Sequence, residues 1–139
     1  MHHNLFILAL CAFGVACWAQ QQPVFRIGNI YPTEGGQVRT SALVRDGQQM
    51  WKDTVNARGG FNINGTFYTV EIIERGITNN GEASANATMS LITEENVDLI
   101  FAPVSSFLGL TSALVANEAG VNVLLPASSS PEIYICDDK

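Results

Sequence analysis

Apolar residues fall into short runs of strand length that alternate with longer stretches of helical period. Val24 to Ile30 (VFRIGNI) predicts a first strand, led in by the polar and proline stretch Gln20 to Pro23. Tyr31 to Gln37 (YPTEGGQ) is loop, punctuated by Pro32 and Gly35-Gly36. From about Thr40 the period becomes helical, with Leu43, Gly47, Met50, Trp51 and Val55 on one side and Arg45, Gln48, Lys52 and Asp53 largely opposite. Gly59-Gly60 closes this helix. After a turn at Asn62 to Thr66, Phe67 to Glu74 predicts a second strand and Arg75 to Gly81 a polar loop. Glu82 to Glu95 reads as a second helix whose apolar face includes Ala83, Ala87, Leu91 and Ile92. Val97 to Ala102 is a third strand, Phe107 to Ala119 a third helix closed by Gly120, and Val121 to Leu125 a fourth strand.

Strict alternation of β-branched runs with helices predicts the α/β class: a doubly wound parallel sheet with helices on both faces. Ligands of such sheets bind beyond the carboxyl ends of the strands, where strand order reverses. The loops to inspect are then Tyr31 to Thr40, Pro103 to Phe107 and Pro126 to Pro131.

Length changes this picture only by limiting it: 139 residues, 47% of them hydrophobic, support one core and hence one domain or part of one. A net charge of −6 argues against a nucleic-acid partner, which requires a basic surface. Residues 1–19 read as a secretory signal peptide, with an apolar stretch from Leu5 to Cys17 and small residues at Cys17 and Ala19. The n-region carries His2 and His3 but no Lys or Arg, so a membrane anchor and a lipidated Cys17 stand as rival readings. The first is short for a span, and the second has Gly14 where leucine is expected. Cleavage after Ala19 would leave no histidine and one cysteine, Cys136, without an internal partner.

That inventory removes most catalytic chemistry. There is no G-x-S-x-G elbow with a histidine base, no phosphate-binding glycine loop and no cluster of metal ligands. The expectation is a non-enzyme with no cofactor and no metal. What remains conspicuous is hydroxyl chemistry at two corners. Ser105 and Ser106 precede the third helix, and either suits its N-cap. Ser130 fits a cap before Pro131, which leaves Ser128 and Ser129 without a structural task. Hydroxyls and backbone N–H groups at such corners suit a small ligand carrying both signs of charge, such as an amino acid. Met50 and Trp51 read as core and core margin rather than ligand platform. Tyr31, at a strand end, is open between the two roles. Asn64-Gly65-Thr66 and Asn86-Ala87-Thr88 are glycosylation sequons, one in a turn and one on a helix.

The segments IGNIYPTEGG, DGQQMWKDTVNARGGFNING, ENVDLIFAPVSS and AGVNVLLPASSSPE together resemble the first lobe of type I periplasmic binding proteins. Among these the chain is most similar to the branched-chain amino acid (Leu/Ile/Val, leucine-binding protein) family of ABC transporters, a family related to receptor ectodomains. The resemblance implies residues 20–139 as an N-terminal lobe, truncated before a second lobe of comparable size. It implies extracytoplasmic binding of an amino acid or similar small molecule beside an ABC transporter membrane component. The ligand-sensing ectodomain of a cell-surface receptor is the alternative. By motif, Ser105 falls where the family binds the ligand carboxylate, Ala127 where backbone groups contribute, and Ser129 where a hydroxyl meets the ammonium. A covering residue of the first loop falls near Thr40. The candidate ligand-binding set is thus Tyr31, Thr40, Ser105, Ser106, Ala127, Ser128 and Ser129. Two departures stand out: Pro32-Thr33-Glu34 lacks the usual leucine and adds a carboxylate, and Glu74-Arg75-Gly76 replaces an acidic pair.

Overall fold

The computed structural model describes residues 22–133, so the expected signal peptide and Cys136 lie outside the described residues. Strand β1 (Val24–Pro32) is followed by α1 (Val38–Ala57), β2 (Phe61–Ile63), β3 (Thr66–Ile77), α2 (Gly81–Thr93), β4 (Leu99–Phe101), α3 (Ser106–Glu118), β5 (Asn122–Leu124) and a 3-10 turn at Pro131–Ile133. The sheet order is β2-β3-β1-β4-β5. β1 pairs in parallel with β3 and β4, and β4 pairs in parallel with β5.

The four expected strands are all present and parallel. One correction concerns β2, an antiparallel addition where only loop and turn were expected. Asn64 (φ 49°) and Gly65 (φ 89°) adopt the left-handed pair that a tight hairpin requires, and the Gly65 N–H donates to Asn62 Oδ1. A second correction is length. β1 runs on through Tyr31 and Pro32, and β3 through Arg75 to Ile77, because these residues pair with one another across the ladder: Ile30 with Arg75, Tyr31 with Gly76, Pro32 with Ile77.

Strand alternation sorts the core onto two faces. Ile30, Ile77 and Ile100 pack with Leu91 of α2 and Leu108 of α3 on one face. Ile27, Val70 and Phe101 form the other cluster, with Val55 of α1 against it. Helices therefore cover both faces, as expected. Where α2 meets α3, buried hydroxyls are internally satisfied: Ser84 Oγ lies 2.8 Å from Ser112 Oγ and donates to the Leu108 carbonyl, while Thr88 Oγ1 donates to the Ser84 carbonyl.

The facing of α1 departs from the sequence expectation. Its inward side consists of Ser41, Val44, Arg45, Gln48, Gln49, Lys52, Val55 and Asn56, whereas Leu43 and Met50 are 65% and 69% exposed. Met50 is thus not core, and half-exposed Trp51 edges an open apolar groove of about 520 Å³ shared with Val44, Gly47, Leu99, Phe101 and Leu124. The reason is polar complementarity beneath the helix. Arg45 forms a two-pronged pair with Glu74 of β3, its Nε donating at 3.0 Å. Near the other end, the Asn56 side-chain amide gives to and takes from the Val70 backbone, both at 2.8 Å. That amide serves the β3 edge just beyond the point where β2 stops pairing, at Phe61 with Tyr68.

Candidate functional site

The order in which strands are added reverses across the β1–β4 neighbour pair. From β1 the chain passes over α1 to β3; it then returns past β1 to β4 and β5, with α2 and α3 on the opposite face. The loops after β1 and β4 consequently part in opposite directions at the carboxyl ends of the strands, the place where sheets of this topology take their ligands.

On the β4–β5 side of that point two serine corners meet. Ser105, in extended backbone conformation, caps α3, its Oγ accepting from the Leu108 N–H at 3.5 Å. That settles which of the two serines caps. Ser106, as the first residue of the helix, turns its Oγ sideways and accepts from the N–H of Ser129 (3.1 Å) and the N–H of Ser130 (3.3 Å). One turn into α3, Gly109 makes the approach possible: a Cβ there would stand 2.9 Å from Leu125 Cδ2 and 3.1 Å from Ser128 Oγ. Ser128 is accordingly buried against α3, 8% exposed, whereas Ala127 and Ser129 are exposed and Ser105 and Ser106 partly so. Ser130 carries the 3-10 turn, its carbonyl accepting from the Ile133 N–H. Apart from Ser130, the small residues of the two corners thus divide into a cap, a bridge, a buried seat and two exposed positions.

Tyr31 belongs to a different assembly. It lies opposite Gly76 in the ladder, where a Cβ would stand 3.3 Å from its ring, and the Arg45 guanidinium covers the ring centroid at 3.8 Å. The ring therefore packs on the α1 face, beneath Arg45. Thr40 is exposed in the first turns of α1. The hydrogen bond from Arg45 is the largest influence on the Glu74 carboxyl and holds it below the usual carboxylate range against the opposing effect of partial burial; Gln49 and Asn29 add to the lowering. Glu74 raises Arg45 in return.

Two residues beside these loops were passed over in the sequence reading. Phe107 is 68% exposed directly after Ser106, with its ring beside Gly81 at the start of α2. Glu34, noted only as a departure, accepts from the Asn79 N–H, and Thr33 bonds the Ile77 carbonyl through both N–H and Oγ1, so the β1 and β3 loops are pinned together. Helix periodicity carried no signal for either. Of the sequons, Asn64 stands exposed on the hairpin turn; Asn86 is exposed on α2, with Thr88 of its sequon fully buried. Among the described residues no group of acidic, histidine or cysteine side chains gathers to hold a metal, and no helix is long and apolar enough to cross a membrane.

A family model described as periplasmic binding protein matches residues 24–139. No curated protein sequence matches the chain. Among solved structures, the branched-chain amino acid transporter substrate-binding protein LivJ of Streptococcus pneumoniae, in complex with isoleucine, is similar with a TM-score of 0.69 and 23% identity. The match covers 78% of this chain and 30% of that one. The leucine-binding protein LivK of Thermotoga maritima gives 0.66 and 26%, covering 79% and 29%. A solute-binding protein of an ABC transporter from Rhodopseudomonas palustris, in complex with 3,4-dihydroxybenzoic acid, gives 0.66 and 21%, with the same coverage. The match spans less than a third of each of these relatives.

Proposed function

Because the chain belongs to the periplasmic binding protein family, we propose that residues 20–139 are the first lobe of an extracytoplasmic solute-binding protein serving an ABC-type uptake system. The signal peptide at 1–19 delivers it, and a transporter membrane component receives its ligand. The ligand is a small carboxylate, with an amino acid as the first choice. Isoleucine and 3,4-dihydroxybenzoic acid, bound by two of the similar proteins, differ in most respects but share a carboxyl group.

The observation that carries this reading is the meeting of the two serine corners at the strand ends, held together by Ser106. Ser105 Oγ and the exposed backbone and hydroxyl of Ala127 and Ser129 offer donors and acceptors without a fully charged partner, which suits reversible capture. No bond is made or broken: the lobe orients the ligand, and closure of a second lobe encloses it.

Calorimetric titration of the chain with L-isoleucine, L-leucine and 3,4-dihydroxybenzoate, beside a Ser105→Ala, Ser129→Ala double variant, tests the reading. One open lobe should hold its ligand at roughly millimolar Kd, and the double variant should lose the saturable heat. A cooperatively folded chain that takes up none of the three would refute binding by this lobe.

A further inference from the structure

We propose that Ser106 is a positioning residue: its hydroxyl fixes the distance between the two ligand-facing corners, which hang on different strands. The inference rests on the binding role proposed for Ser105 and Ser129. Ser105 is tied to the start of α3 as its N-cap. Ser129 stands on an exposed segment between the end of β5 and the 3-10 turn, where no ladder holds it. At least two anchors tie that segment to the first turns of α3. One is the pair of bonds from the Ser129 and Ser130 N–H groups to Ser106 Oγ. A second is the seat of Leu125 and Ser128 on the bare backbone of Gly109.

The location of Ser106 suits this task. A serine at the N-cap would spend its oxygen on its own helix, as Ser105 does. At the first helical position the hydroxyl is free of that duty and reaches across to the neighbouring loop. Ser106 and Ser105 therefore have separable roles although they are adjacent: one would touch the ligand, and the other holds the ligand's second contact in register.

The test compares wild type with Ser106→Ala, Ser106→Thr and the Ser105→Ala, Ser129→Ala double variant. Two readouts are taken: amide hydrogen exchange at Ser129 and Ser130, and affinity for L-isoleucine and 3,4-dihydroxybenzoate. Ser106→Ala should speed exchange at these two amides by about tenfold while leaving Ile100 of β4 unchanged, and should weaken binding by about tenfold. Ser106→Thr, which keeps the oxygen, should restore both. Gly109→Ala, which crowds the second anchor, should weaken binding in the same direction. Unchanged exchange in Ser106→Ala would overturn the pin whatever the affinity does. Faster exchange with wild-type affinity, in a chain whose binding the double variant abolishes, would overturn the positioning role and leave the binding reading standing. If neither ligand binds wild type, the binding reading falls and the positioning role falls with it.

Discussion

The two faces of the sheet are built on opposite plans. Under α2 and α3, Leu91, Ile100 and Leu108 are essentially inaccessible, and the hydroxyls between the helices satisfy one another. Under α1, a polar helix side lies on the sheet, held by Arg45 on Glu74 and Asn56 on Val70, while the sheet beyond it stays open along Leu99, Phe101 and Leu124. The first face is held by burial, which is strong and non-directional. The second buries the smaller cluster of Ile27, Val70 and Phe101 and adds directional contacts that fix the rotation of α1 about its own axis.

This contrast predicts a ranked series of effects. Leu91→Ala opens a cavity in the closed face and should cost about 3–5 kcal/mol, read as a lower midpoint in urea denaturation; a loss under 1 kcal/mol would mean that the face is not tightly packed. Arg45→Ala strands a partly buried Glu74 and should cost roughly 1–2 kcal/mol, with a change in Tyr31 emission as its cover leaves.

Acid stability reports the same pair. The folded state holds Glu74 below its ordinary value of 4.5, so the stability this group contributes is present above that value and is lost as pH falls through the lowered one. Glu74→Gln should flatten that part of the acid limb in a pH series of urea melts, and an unchanged limb would show that Arg45 does not stabilise the carboxylate. Least affected should be Leu43→Lys on the outward side of α1, within about 0.5 kcal/mol. A large loss there would mean that the helix is rotated as its sequence period suggested.

That last comparison shows how far the sequence was legible. The parallel framework could be read because its strands are covered on both sides and so appear as continuous apolar runs ending in helix caps. α1 could not, since amphipathic reasoning assumes an apolar floor, and the floor here carries Asn29 and Glu74 in adjacent register. β2 escaped because a three-residue arm has no period to detect, although the Asn64-Gly65 turn beside it was visible. At the candidate site the serines drew notice by their number. Their division into cap, bridge and seat depends on how the ends of β4 and β5 are placed against α3, which linear spacing does not encode.

The bridge itself imposes a polarity on whatever comes near it. A serine oxygen has two lone pairs, and in Ser106 each already receives an N–H. What the hydroxyl has left to offer is its proton, made more willing to donate by the two bonds its oxygen accepts. A side chain that elsewhere serves as donor or acceptor is, at this spot, left as a donor alone.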